Sequence, residues 1–77
     1  MIDAITNERI TIYGNGSPYL MVAYAQLDHL TSALRDSGVS FWVDEDVISL
    51  DDDPPVAIVN LGRATNVADV QHLLDGL

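Results

Sequence analysis

The spacing of hydrophobic residues changes several times along the chain, and each change predicts a new element. A mostly apolar stretch, residues 56–61, lies between two prolines and Gly62 and is typical of a short strand that is buried on both faces. Residues 9–13 alternate instead, with Ile10 and Ile12 on one side and Tyr13 on the other. They predict a first strand with one buried face.

A helical pattern follows, because apolar residues recur every three or four positions from Leu20 to Leu34. Ser17 is a good N-cap and the proline after it fits the first helical position, while Gly38 is suited to the left-handed residue that ends a helix. On such a helix Met21 and Val22 point away from the core.

Two further strands and a second helix complete the pattern. Residues 39–43 predict a strand with Phe41 and Val43 on one face and Trp42 on the other, and residues 47–50 predict a short additional strand. The crossover helix would make the first two strands parallel. Asn66 is expected to cap the final helix, with Asp69 in its first turn.

These elements predict one α+β domain that spans residues 1–77. Its expected architecture is a two-layer β-α-β-(β)-β-α sandwich, in which two helices pack on a mixed sheet of three to four strands.

Segment 12–19, with its Gly14 to Pro18 turn, resembles the strand-to-helix turn of glutaredoxins. Ser17 and Leu20 stand where that family has its two cysteines, and Pro54-Pro55-Val56 matches the proline before its third strand. The resemblance covers about ten residues and is a local likeness of fold. It implies no redox activity, because both thiols are missing.

Composition narrows the possible partners. The chain has 77 residues, a formal net charge of -9, three arginines, no lysine and no cysteine. Such a charge disfavours nucleic acids and anionic membranes as partners, and no motif indicates a cofactor or a catalytic group. No segment reads as a signal peptide or a membrane span, so a cytoplasmic location is expected.

Half of the twelve acidic residues are clustered, which is the sharpest local feature of the sequence. The cluster consists of Asp44, Glu45, Asp46, Asp51, Asp52 and Asp53. Solvated loops that discourage strand pairing, a surface for a basic partner, and a Mg²⁺ or Ca²⁺ site are all compatible with it. The spacing lacks the pattern of a calcium loop.

Aromatic and aliphatic residues on the side opposite the predicted helices favour a contact surface. Tyr13, Met21, Val22 and Trp42 are expected to point outward, and tyrosine and tryptophan are frequent anchors of interfaces. The sequence therefore predicts a non-catalytic module that self-associates or docks a larger protein. The alternatives are an acidic inhibitor of a basic enzyme, of the immunity or antitoxin type, and a small metal-binding domain.

Overall fold

The computed structural model describes residues 1–14, 16–44 and 54–77. Their elements, in chain order, are strand β1 (Tyr19–Ala23), a 3-10 turn (Tyr24–Gln26), helix α1 (Leu27–Asp36), strand β2 (Phe41–Val43), strand β3 (Val56–Leu61) and helix α2 (Val67–Asp75). The three strands form one antiparallel sheet in the order β1-β3-β2. The α+β class is confirmed, whereas the mixed sheet is not found in these residues. The predicted strand 47–50 lies outside them.

The core lies between the two helices and one face of the sheet, which we call the inner face. Helix residues such as Leu30, Leu34 and Leu74 are fully buried in one cluster with strand residues such as Leu20 and Val59. Burial of each such aliphatic side chain stabilises the fold by about 1.5–3 kcal/mol. Both helices therefore leave the opposite face of the sheet, the outer face, uncovered.

Strand β3 holds the central position that its apolar sequence predicted. Its burial alternates, because Ala57, Val59 and Leu61 are buried while the residues between them are half-buried. The prediction of burial on both faces was thus correct for the inner face only.

The predicted start of the first helix was wrong. Residues 19–23 form strand β1, and the helix begins at Leu27. The chain reverses after Gly14, whose φ is 99°, and Tyr13 and Tyr19 exchange two backbone hydrogen bonds of 2.7 and 2.9 Å. A Cβ at Gly14 would lie 2.6 Å from the carbonyl oxygen of Ser17, so the turn requires glycine.

The pairing of β1 with β3 explains why the strand prevails over the helical spacing. Leu20 and Val22 are buried and Met21 between them is exposed, which is the two-residue period of a strand. The same residues also fit the spacing of three to four residues that is typical of a helix. Val22 is fully buried, so its predicted outward position was also wrong.

The end of helix α1 confirms the prediction for Gly38. Its φ is 75°, and the N–H groups of Gly38 and Val39 donate to the carbonyl oxygens of Arg35 (3.1 Å) and Leu34 (2.9 Å). These two bonds define a Schellman motif, which satisfies carbonyl groups that the helix end leaves free.

The predicted strand 9–13 does not form a regular ladder. It makes isolated bridges only, Ile2 with Arg9 and Tyr13 with Tyr19. Its alternation was nevertheless right, since Ile10 is buried and Ile12 packs against the core. The parallel crossover was wrong, because strand β1 occupies the place of the helix that it required.

Helix α2 begins as predicted, with Asn66 Oδ1 accepting a hydrogen bond of 3.2 Å from the N–H of Asp69. It ends at Asp75, and Val70 and Leu74 bury its apolar side. Within the described ranges, no helix is long and apolar enough to cross a membrane.

Candidate functional site

The outer face of the sheet is organised in rows set by strand register. Tyr19 pairs with Asn60, and Asn60 pairs with Trp42 on the far side of β3. The bridge to Tyr13 extends this row to four residues. A second row contains Met21, Ile58 and Asp44, and Val56 follows in the third row. One continuous surface therefore extends from the N-terminal segment, residues 1–13, to strand β2.

Large side chains on this surface are open to solvent. The exposed fraction is 57% for Trp42, 53% for Tyr13 and 40% for Met21. The rings of Tyr13 and Tyr19 lie 5.9 Å apart between centroids with a tilt of 35°, which is a favourable aromatic contact. An exposed group of this kind, with an indole at one end and two phenols at the other, is typical of a surface that contacts another molecule.

A carboxylate is held at the Trp42 end of the outer face. Asn60 Nδ2 donates a hydrogen bond of 2.7 Å to Asp44 Oδ1, and the N–H of Asp44 donates to the carbonyl of Ile58 at 3.0 Å. Because Asp44 is two residues beyond Trp42 on an extended chain, their Cα atoms are about 7 Å apart. The Asn60 amide thus orients an exposed carboxylate beside an exposed indole.

The N-terminal segment borders the other end of the face. Its turn is closed by the N–H of Asp3, which donates to the carbonyl of Glu8 at 2.8 Å, and Gln26 binds the backbone of Ile2 and Ala4 at 2.9 Å each. A groove of about 190 Å³ lies between this segment and the sheet. Its lining includes Ile5, Arg9, Tyr13, Met21 and Val56.

The groove shows how far the first residues extend over the sheet. They reach Met21 and Val56, whereas Trp42 does not line the groove. Among the described residues, the segment therefore borders the outer face at Met21 and Val56 and does not reach its β2 side.

Arg9 at this border is engaged in an ion pair. Its Nε and Nη2 donate to the two carboxylate oxygens of Asp75 at 2.8 and 2.7 Å. These hydrogen bonds lower the pKa of Asp75 to about 2, against the opposing effect of desolvation. The pair connects the N-terminal segment to helix α2.

The predicted contact residues divide into three groups. Tyr13, Met21, Trp42 and Asp44 lie on the outer face, and Met21 does so on a strand instead of a helix. Val22 does not belong there, because it points into the core. The remaining predicted contact residues, Glu45, Asp46, Asp51, Asp52 and Asp53, lie outside the described residues.

Tyr19, Ile58 and Asn60 contribute to the outer face and were not among the predicted contacts. Tyr19 was hidden by the helical interpretation, although its alternation with the apolar residues that follow it was a usable signal. For Ile58 and Asn60 the sequence predicted only that alternate residues of strand 56–61 lie on the same face as Trp42. Their register with β1 and β2 brings them between Tyr19 and Trp42.

Among the residues that the structure describes, no three His, Asp or Glu side chains are grouped as metal ligands would be. Buried side-chain nitrogen and oxygen atoms in these ranges all have hydrogen-bond partners. The outer face is the candidate site because its large side chains, Trp42, Tyr13 and Met21, are exposed.

The chain matches no protein-family model, no curated protein and no solved structure.

Proposed function

We propose that the chain is a non-catalytic protein-interaction module that docks another protein through the outer face of its sheet. The carrying observation is the solvent exposure of Trp42 and Met21 on the face opposite both helices. Contact of these apolar side chains with water is unfavourable. Burying them against a partner would stabilise the complex by about 25 cal/mol per Å² of apolar surface removed from water. The occupant is a second copy of the chain or a larger protein.

The shape of the surface supports this role. Backbone hydrogen bonds fix β1 and β3 beneath Tyr19, Met21 and Ile58, so the contact residues are already in place before binding. Preorganised groups lose less conformational entropy on association. Tryptophan and tyrosine are enriched among the residues that contribute most of the binding energy of interfaces.

The proposal is tested with a matched pair of substitutions. Met21 and Val67 are both 40% exposed, but Met21 is on the outer face and Val67 begins helix α2. Wild type, Trp42→Ala, Met21→Ser and Val67→Ser are compared by analytical ultracentrifugation, alone and after incubation with cell extract. We expect wild type and Val67→Ser to associate, and the two outer-face variants to lose that association.

A free monomer under all conditions, or equal association of Trp42→Ala and wild type, would refute the proposal. Circular dichroism of each variant establishes that it is folded, so a loss of association is not a loss of structure.

A second candidate, an acidic inhibitor of a basic enzyme, is favoured by the position of Asp44 beside Trp42 on the same face. It predicts that the associated protein is an enzyme whose activity falls when the chain is added. Uninhibited activity of the captured enzyme would exclude this candidate while leaving the interaction module in place.

A further inference from the structure

We infer that the occupant of the outer face is a cationic segment of a partner protein, whose lysine or arginine side chain binds between Trp42 and Asp44. This inference rests on the proposed function and specifies its partner. Three observations support it: the small area of the face, the charge of the chain and the fixed carboxylate of Asp44.

The described part of the outer face is small compared with the interface of a stable homodimer. Four strand positions about 4.8 Å apart and five residues about 3.4 Å apart outline a flat area of about 300 Å² of sheet. Stable interfaces bury about 800 Å² on each partner. A face of this size fits a short segment with a few side chains.

Charge also favours a cationic segment over a second copy of the chain. A second copy would bring a formal charge of -9 against an equal charge, and repulsion between the copies opposes association. A cationic segment is attracted instead, and this attraction increases the rate of encounter.

The arrangement at the Trp42 end defines where the cation binds. The indole is 57% exposed, and a cation over an aromatic ring is attracted by its π electrons. Asn60 engages Asp44 Oδ1, which orients the carboxylate to accept a hydrogen bond from the same cation through Oδ2. Apolar side chains of the segment would then lie along Ile58 and Met21.

The test uses the peptide acetyl-KVRIKV-amide as the probe and acetyl-EVEIEV-amide as its acidic counterpart. Isothermal titration calorimetry at low and high salt measures binding to wild type, Asp44→Asn, Trp42→Ala and Asp36→Asn. Asp36→Asn is the matched control, because it removes one exposed carboxylate from the end of helix α1.

We expect saturable binding of the cationic probe that weakens with salt. Asp44→Asn should lower the affinity about two- to fivefold, as for an exposed ion pair. Trp42→Ala should lower it by about fivefold or more. Asp36→Asn should leave it within error of wild type, and the acidic probe should not bind.

Equal effects of Asp44→Asn and Asp36→Asn would overturn the inference, because attraction would then depend on net charge alone. Absence of probe binding, or equal binding of the acidic probe, would overturn it too. A dimer that Trp42→Ala dissociates would assign the face to a second copy, so the inference would fail while the proposed function stood. If Trp42→Ala retains every association of wild type, both fail.

Discussion

Replacing Val22 by alanine tests whether residues 19–23 are a core strand or part of a helix. Val22 is fully buried, and its neighbour Met21 is 40% exposed. The substitution removes two methyl groups, each worth about 0.8 kcal/mol of burial, and leaves a small cavity. We therefore expect Val22→Ala to lower the free energy of unfolding by about 2 kcal/mol, or more if the cavity does not collapse.

If residues 19–23 were helical with Val22 facing solvent, Val22→Ala would not lower the free energy of unfolding. Alanine is a better helix former than valine by about 0.5 kcal/mol, so the same substitution would be neutral or stabilising. The comparison variant Met21→Ala should change the stability by about 0.5 kcal/mol or less, since its side chain is on the outer face.

Urea unfolding followed by circular dichroism measures the difference. With an m-value of about 1 kcal/mol per molar urea, Val22→Ala should shift the midpoint down by about 2 M. An unchanged or higher midpoint would refute the position of Val22 in the core and, with it, the register of β1 on β3.

Three further predictions concern the turns, the cap and the ion pair. Gly38→Ala should destabilise the fold by about 1–2 kcal/mol because φ is 75°, whereas Gly76→Ala, at φ of -88°, should be nearly neutral; urea midpoints compare them. Asn66→Ala should cost about 1 kcal/mol in the same assay, and Asn66→Asp should restore most of it at neutral pH. Since the pKa of Asp75 is lowered to about 2, its ion pair should stabilise the fold above the usual carboxyl pKa of 3.8 and be lost as pH falls toward 2. Arg9→Gln should return the Asp75 pKa toward 3.8 in an NMR titration, and an unchanged value would contradict the pairing.

Local signals in the sequence predicted the end of helix α1 and the start of helix α2 correctly, whereas the helix start predicted at Ser17 was wrong. Gly38 and Asn66 act through backbone bonds to residues within one turn, so their roles are visible without knowledge of the tertiary fold. Strand β3 was also predictable, because a short apolar run bounded by Pro55 and Gly62 is typical of a strand.

The identity of β1 was not predictable in the same way. Leu20, Val22 and Ala23 satisfy a strand and a helix about equally. The choice depends on pairing with β3, in which Val22 is paired with Ala57, 35 positions further along the chain. This one pairing decides whether Val22 is a contact residue or a core residue. The exposure of Tyr13 and Trp42 was nevertheless predicted correctly, because alternation along residues 9–13 and 39–43 did not depend on β1.

The accessibility of Trp42 is the most direct test of the outer face as a contact surface. The chain has one tryptophan, so acrylamide quenching of fluorescence reports on this side chain alone. The account predicts strong quenching in the free protein and a clear decrease when the captured partner or the cationic probe is bound. Trp42 that is already protected in the isolated chain, or equally quenched with and without the partner, would contradict it.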